Sequence, residues 1–276
     1  MTIKTSDIFE IFKNKKKNIY SQTGEDGVIL ELLNLFSKKY NIFKQVCEFG
    51  AYDGKYCSNT FNLIKNLSFY GVLIEGDENK FKKLKKLKEK FNVDVFNYFI
   101  TEKNLDEILH KTKLERNFDI LSIDIDSYDL NVWKNLIDFR PKLLIIEIDN
   151  SIGAEEIVEG TINNDGSSFA YALEIAKIKK YTLIGDTGNL FFIDNYFALK
   201  IGLNLNDFKD SHALFNSNWT KETYIKKFIK KILTKNIILH SYYLRFIKKF
   251  WLVKFKTHID FGPYGFIVIK LVYTKY

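Results

Sequence analysis

Short apolar runs alternate with segments of helical periodicity between residues 44 and 194, and this alternation constrains the fold more than any other feature. Helical patterns stand between the runs. Repeated alternation of this kind predicts a parallel sheet with helices on both faces, and its ligand is expected beyond the carboxyl ends of the strands. The apolar runs predict strands at 44–49, 69–75, 93–100, 118–124 and 142–149.

The last two runs, 181–186 and 189–194, are separated only by the turn Thr187-Gly188-Asn189. A turn this short cannot carry the crossover that joins two parallel strands, so the pair is predicted to be an antiparallel hairpin. The sequence therefore predicts an α/β fold with a mostly parallel, doubly wound sheet that ends in a hairpin.

The chain of 276 residues is 46% hydrophobic, which suits one large domain or one domain with an appendage. We predict a ligand-binding domain at 1–195, followed at 196–276 by a linker and a basic, helical C-terminal extension. The net charge of +8 is unevenly placed, because residues 221–256 carry eleven Lys or Arg against one acid. This placement argues against a nucleic-acid-binding surface spread over the chain.

The basic extension interleaves paired lysines with aromatic residues, and three uses stay open for it. It can pack on the core or on a partner subunit of a homodimer, contact an anionic membrane surface peripherally, or bind an anionic polymer or nucleotide-linked substrate. The N-terminus lacks the apolar core of a secretory signal, and Cys47 and Cys57 form no disulfide framework. These features lead us to expect a cytoplasmic protein.

The segment "CEFGAYDG" follows the first predicted strand and places Glu48, Gly50 and Gly54 at its end. It lacks the G-x-G-x-x-G spacing of dinucleotide sites, and its carboxylate suits a cationic group better than a pyrophosphate. Glu75 ends the next strand, 21 residues after Gly54, where an acid can hold two ribose hydroxyls. Together they predict S-adenosyl-L-methionine as the ligand. The alternative is that the glycines only permit a tight turn between strand and helix.

Four segments, "CEFGAYDGKYCSNT", "GVLIEGD", "LSIDIDSYD" and "IIEIDN", resemble the class I S-adenosylmethionine-dependent methyltransferases. Within that class the match is to the FkbM-like type associated with bacterial polysaccharide biosynthesis, and it covers roughly residues 18–195. The resemblance implies a seven-stranded, Rossmann-like sheet and an O-methyltransferase that acts on a hydroxyl of a carbohydrate, such as a capsular sugar or its nucleotide-linked precursor. The implied cofactor-binding residues are Gln22, Glu48, Gly50, Asp53, Gly54, Ser58, Asn59, Glu75, Gly76 and Asp124.

Acidic side chains crowd the ends of the fourth and fifth predicted strands, in "SIDIDSYD" and "EIDN". Oxygen ligands at this density suit Mg²⁺ or Ca²⁺, and Mn²⁺ less selectively. Resemblance to metal-dependent O-methyltransferases implies that Asp124, Asp149 and Asn150 hold Mg²⁺ or Mn²⁺, and that Asp124 and Asp126 are catalytic, with Asp126 as general base. In a metal-free enzyme, a histidine such as His212 or His258 is the alternative base.

Other interpretations of these motifs stay open. Asp126 or Ser127 can cap the following helix, and Ser58 or Asn59 can cap the helix after the glycine turn. The early segment "YSQTGEDG" is either a helix cap or a lid over the ligand. An Asp-x-Asp at 124–126 is also how some glycosyltransferases hold a metal and a nucleotide diphosphate, although that function leaves Glu48 and the glycines unexplained. A third function is a non-catalytic interaction protein that works through its basic extension.

Overall fold

The structure is a computed structural model, and it describes residues 3–125, 127–161, 166–216, 256–261 and 267–272. The chain divides into two compact units, Met1–Lys221 and Glu222–Tyr276. Among the described residues, no helix has both the length and the apolar character needed to cross a membrane.

The first unit alternates helices and strands along the chain. Its helices are α1 Thr5–Asn14, α2 Glu25–Ser37, α3 Phe61–Leu67, α4 Glu78–Leu84, α5 Leu105–Leu109, α6 Asp129–Asn135, α7 Phe169–Lys179 and α8 Asn195–Lys200. Its strands are β1 Gln45–Phe49, β2 Tyr70–Ile74, β3 Val93–Phe96, β4 Ile120–Ile123, β5 Leu143–Glu147, β6 Tyr181–Asp186 and β7 Asn189–Asp194. In the second unit, β8 Lys256–Phe261 and β9 Ile267–Val272 form an antiparallel pair.

The seven strands of the first unit form one sheet in the order β3-β2-β1-β4-β5-β7-β6. β7 runs antiparallel to both β5 and β6, and the pairings from β3 through β5 are parallel. The predicted seven-stranded, mostly parallel Rossmann-like sheet with a closing hairpin is thereby confirmed. The chain travels outward through β2 and β3 and then returns to β4 beside β1, so the topological switch point lies between β1 and β4.

Both faces of the sheet are covered, which explains why its strands are continuous apolar runs. One face packs against α5, α6 and α7 around Trp133 and Phe118, and the other packs against α1, α2 and α3 around Leu32 and Phe61. Successive strand residues point to opposite faces, so Phe191 belongs to one cluster and Phe192 to the other.

The lysine-rich helix α4 is positioned by a cap and a narrow apolar stripe. Asp77 accepts hydrogen bonds from the backbone N–H groups of Asn79 and Lys80, and this closes the first turn. After Leu84 the helix tightens into a 3₁₀ segment, Lys85–Glu89, which keeps Leu87 buried. Leu84 and Leu87 are buried in the core, whereas the lysines from Lys82 onward are exposed to solvent.

Residues 195–216 are not the loop that their Asn- and Asp-rich composition suggests. They form α8 and two 3₁₀ turns, and they bury Phe197, Ile201 and Phe208 in the core. The predicted domain boundary at 195/196 stays a prediction. Residues 217–255, which hold most of the basic extension, lie outside the described residues. Beyond them, the described residues of the extension, which we predicted to be helical, form the strands β8 and β9.

Candidate functional site

A cavity of about 610 Å³ opens at the carboxyl ends of the central strands, beside the switch point. Its volume falls in the range of sites that enclose a small molecule. It is lined by Gln22, Glu48, Gly50, Ala51, Tyr52, Tyr56, Cys57, Ser58, Ile74, Glu75, Gly76, Asp77, Lys80, Tyr98, Phe99, Ile100, Asp124, Ile125, Tyr128 and Glu147.

The two glycines of the turn after β1 make room for different neighbours. Gly50 has φ +68°, and a Cβ there would lie 2.8 Å from the carbonyl carbon of Asp124 and closer still to its oxygen. Gly54 has φ +74°, and a Cβ there would meet the side-chain ends of Leu84 and Leu87 instead. Gly50 lines the cavity and Gly54 does not. The tight-turn interpretation therefore describes Gly54, while Gly50 lets β4 and the cavity wall approach the backbone.

Glu48 is only 4% exposed, and its carboxylate fixes the chain that leads into α3. Its Oε2 accepts from the hydroxyls of Ser58 at 2.6 Å and Thr60 at 2.7 Å, and its Oε1 accepts from the backbone N–H of Asn59 at 2.8 Å. Burial raises the pKa of Glu48, and these three bonds oppose that effect. Because a carboxylate can accept about four hydrogen bonds, Oε1 keeps room for one more donor.

These bonds correct the predicted cap of α3. The N-cap is Thr60, and neither Ser58 nor Asn59 occupies that position. The Ser58 hydroxyl still accepts from the backbone N–H of Phe61 at 2.9 Å, so it stabilises the first turn from outside the cap position.

Glu75 is 6% exposed and is oriented by two backbone donors. Its Oε2 accepts from the N–H of Tyr52 and its Oε1 from the N–H of Asp77, each at 2.8 Å. Each carboxylate oxygen can accept a second hydrogen bond. The arrangement thus presents two neighbouring acceptors at a cavity wall, which is what a pair of adjacent ribose hydroxyls requires.

The early segment is held by the first residues of α2 and reaches the cavity. Asp26 accepts from the backbone N–H groups of residues 19–21, and Glu25 accepts from the Thr187 hydroxyl in the turn between β6 and β7. These bonds fix the loop, but the N-cap of α2 is Gly24, which makes no side-chain cap bond, so they do not form the helix cap of the capping interpretation. Gln22 lies in this loop and lines the cavity, and its contact with the cofactor stays a prediction. Movement of this segment as a lid stays a prediction.

Aromatic side chains form a cavity wall that the sequence analysis missed. Tyr98 and Phe99 lie just beyond β3, and Phe99 is 61% exposed. We predicted this strand to run to Ile100, but it ends at Phe96, so these residues lie at the strand's carboxyl end. Tyr52 is a further lining aromatic, and the ammonium of Lys80 lies 4.9 Å from its ring centroid.

The three predicted metal ligands do not all line the cavity. Asp124 lines the cavity, whereas Asp149 and Asn150 do not. Asp149 accepts from the backbone N–H of Ser151, and the Asn150 side chain donates to the Gly188 carbonyl at 2.6 Å.

A magnesium or manganese site at Asp124, Asp149 and Asn150 finds no support in this arrangement. The part of the chain that the structure describes contains no group of three or more His, Cys, Asp or Glu side chains suited to a metal ion. Asp126 lies outside the described residues, so its role as general base stays a prediction. The α6 cap predicted at Asp126 or Ser127 is instead Tyr128, which makes no side-chain cap bond.

Four further predicted cofactor residues fall into two pairs. Gly76 and Ser58 line the cavity, but Asp53 and Asn59 do not. Asp53 accepts from the N–H groups of Lys55 and Tyr56 and so closes the glycine turn. The Asn59 side chain donates to the buried Ser122 hydroxyl at 3.1 Å, which ties the turn to β4. Both residues therefore shape the cavity without facing it.

Cys57 also lines the cavity. Burial raises the pKa of its thiol, which disfavours the nucleophilic thiolate. His212 lies in a 3₁₀ turn and its Nδ1 is 3.2 Å from a carboxylate oxygen of Glu155. It is not a cavity-lining residue. His258 lies in β8, not in the loop that its sequence context suggested.

No protein-family model matches the chain, and no curated protein sequence matches it. Among solved structures, the CMeT domain of the citrinin polyketide synthase is similar, with a TM-score of 0.43 and 13% identity over 64% of this chain and 55% of that one. The chain thus spans little more than half of that domain.

Two further solved structures are similar. TrmK of M. capricolum, in complex with S-adenosyl-homocysteine, has a TM-score of 0.40 and 16% identity over 79% of this chain and 92% of that one. The METTL16 methyltransferase domain has a TM-score of 0.42 and 14% identity over 65% and 71%. Likenesses at this level carry no information on substrate or activity, so function has to be argued from the cavity.

Proposed function

We propose that this protein is an S-adenosylmethionine-dependent methyltransferase. The observation that carries the proposal is the charge of the cavity. Among the described residues that line it, five are acidic and one, Lys80, is basic. The acids are Glu48, Glu75, Asp77, Asp124 and Glu147. S-adenosylmethionine has a sulfonium and an ammonium against a single carboxylate, so its net positive charge complements this lining.

The geometry of individual acids supports the same ligand. Glu75 offers two oriented acceptors for the ribose hydroxyls. Glu48 retains an acceptor position for the amino group, and Gly50 lets the backbone of Asp124 approach the turn at the cavity wall. The aromatic side chains beyond β3 supply apolar surface for an adenine ring.

We propose a hydroxyl of a carbohydrate as the methyl acceptor, and this part rests on the resemblance to the FkbM-like type. A sugar hydroxyl is a poor nucleophile, so a carboxylate has to take its proton as the methyl group arrives. The resemblance gives that role to Asp126. The protein's main contribution beyond this is in-line placement of the two reactants. We also propose that the basic extension contacts a membrane surface or a second subunit.

The competing function is a metal-dependent glycosyltransferase that holds a nucleotide diphosphate at 124–126. A pyrophosphate in this cavity would face five carboxylates, which repel it unless a metal ion intervenes. The acidic lining therefore favours the methyltransferase.

Thermal unfolding in the presence of three ligands tests the proposal. S-adenosylmethionine and S-adenosylhomocysteine should each raise the midpoint, because a ligand at 100 times its Kd stabilises the folded state by about 2.7 kcal/mol. UDP with Mn²⁺ should leave it unchanged. A shift of the midpoint with UDP and Mn²⁺, and with neither adenosyl ligand, would favour the glycosyltransferase. The absence of a shift with both adenosyl ligands would refute the methyltransferase.

A further inference from the structure

Asp129 begins α6 with a carboxylate that is only 3% exposed and does not line the cavity. Burying a carboxylate is costly unless hydrogen-bond donors surround it. Its Oδ1 accepts from the backbone N–H of Ile125 at 2.7 Å, and its Oδ2 accepts from the backbone N–H of Ser127 at 3.1 Å. Both donors belong to the segment that joins β4 to α6, so Asp129 holds that segment at two points.

Helix capping alone does not account for these bonds. A capping side chain accepts from N–H groups inside the first turn of its own helix, whereas Ile125 and Ser127 both precede α6. The two bonds also occupy both oxygens of the carboxylate, and a serine or an asparagine offers only one acceptor oxygen. An acid therefore stands where two donors, two residues apart, have to be held at once.

One of the two bonds fixes the peptide unit that follows Asp124. The carbonyl of Asp124 and the N–H of Ile125 belong to the same planar unit. Its N–H is held by Asp129, and its carbonyl lies so close to Gly50 that a Cβ there would be 2.8 Å from the carbonyl carbon. On the other side of Asp124, the last residue of β4 is paired with the last residue of β1. The backbone is thus fixed on both sides of the Asp124 Cα, and this sets the direction of its side chain.

The position of Asp124 has to be maintained against like charges. Burial raises the pKa of Glu48 and of Asp129, and the negative charge of Asp124 raises the pKa of both carboxyls further. Asp124 therefore lies within electrostatic reach of a carboxyl in β1 and of another in α6. Repulsion of this kind favours displacement of the segment that carries Asp124, and the two bonds to Asp129 oppose that displacement.

We propose that Asp129 is a positioning residue of the ligand site, which holds the Asp124–Ile125 peptide and so keeps the Asp124 side chain at the cavity wall. This role rests on the proposed function, in which the acidic lining attracts the net positive charge of S-adenosylmethionine. Asp124 contributes to that lining, whereas Asp129 acts on the ligand only through Asp124.

A double-mutant cycle tests whether Asp129 acts through Asp124. Calorimetry gives the S-adenosylmethionine affinity of the wild type, Asp124→Asn, Asp129→Asn and the double variant. Asp124→Asn removes a charge from the cavity wall, and Asp129→Asn leaves one acceptor oxygen for two donors, so each should lower the affinity about fivefold or more. In the Asp124→Asn background, Asp129→Asn should lower the affinity about twofold or less, because the side chain that it positions no longer carries a charge.

Asp106→Asn is the matched control. The Asp106 carboxylate also accepts from two backbone N–H groups, those of Ile137 at 2.8 Å and Asp138 at 3.0 Å, with one bond at each oxygen. Asp106 does not line the cavity. Urea unfolding should show a loss of stability in Asp106→Asn, while its S-adenosylmethionine affinity stays within about twofold of the wild type. A purely structural role of Asp129 would give the same result in Asp129→Asn.

Equal effects of Asp129→Asn in the two backgrounds would overturn the positioning role, and so would an unchanged affinity in Asp129→Asn or in Asp124→Asn. If Asp129→Asn does not fold, Asp129→Ser takes its place in the cycle, because serine also keeps a single acceptor oxygen in a smaller side chain. A wild type that binds neither adenosyl ligand would refute the proposed function. Binding by the wild type together with an additive cycle would refute the positioning role alone.

Discussion

Replacing Gly50 by alanine tests whether this glycine is required by the backbone of β4. Its φ of +68° lies in the left-handed region, which costs an L-residue about 1–2 kcal/mol. The new Cβ would also lie 2.8 Å from the Asp124 carbonyl carbon. Since that neighbour is backbone, β1 and β4 have to separate next to the pair Phe49 and Ile123, and overpacking of this kind costs about 1–3 kcal/mol. The expected loss of unfolding free energy is thus about 2–5 kcal/mol.

Gly54→Ala is the matched control, because its φ of +74° carries the same backbone cost. Its Cβ would meet the methyl ends of Leu84 and Leu87, which can rotate away more easily than a carbonyl can move. We expect a loss of about 1–3 kcal/mol. Gly54 does not line the cavity, so its ligand affinity should stay within about threefold, whereas Gly50→Ala should weaken S-adenosylhomocysteine at least tenfold.

Urea unfolding of both variants measures the loss of unfolding free energy, and calorimetric titration measures their affinity for S-adenosylhomocysteine. A midpoint that moves without a change in slope reports stability alone. Equal losses in the two variants would show that only the left-handed conformation matters, and normal ligand affinity in Gly50→Ala would remove Gly50 from the binding site.

Three further predictions concern acidic residues. Glu75→Ala should weaken S-adenosylhomocysteine by about 2–4 kcal/mol in calorimetry, because two charge-assisted hydrogen bonds are lost. Asp126→Asn should lower turnover by about 100-fold or more while the affinity for S-adenosylhomocysteine barely changes, and near-wild-type turnover in this variant would remove the base role from Asp126. Burial raises the pKa of Asp129 to about 7. The folded state therefore binds a proton that the unfolded state has released, and stability should fall from about pH 4 to pH 7. Asp129→Asn should flatten this slope in urea unfolding.

The sheet could be predicted because its strands are buried on both faces, so each strand is a continuous run of apolar residues in the sequence. The apolar pattern misplaced or missed elements whose residues are only partly buried. β3 lies at the sheet edge, and the apolar residues after Phe96 belong to the cavity wall, so the run overshoots the strand. α1 was not predicted, because the charged residues Asp7, Glu10 and Lys13 are interspersed among its apolar residues. α8 was not predicted either, because polar residues surround Phe197 in the sequence.

The site was predictable where chemistry fixes the residue type. Glu48, Gly50 and Glu75 were predicted as ligand-binding residues and do line the cavity, because a carboxylate or a glycine at the end of a buried strand leaves few alternatives. Tyr52 and Cys57 were not, because both adopt a positive φ of +49° and +59° that directs their side chains in a way strand or helix periodicity does not describe. Asp53 was assigned to the ligand although it bonds to its own turn, a choice that sequence spacing cannot make.

The bonds of Glu48 and Glu75 also explain how an acidic cavity can exist before a cationic ligand arrives. Two carboxylates buried this deeply would destabilise the fold if they lacked donors. Glu48 takes its donors from residues 58–60, and Glu75 takes one from Tyr52, so both ends of the glycine turn are tied to the acids they surround. The desolvation of these carboxylates is therefore largely offset on folding. A cation that enters meets oriented charges and bears little of the cost of ordering them, which favours affinity.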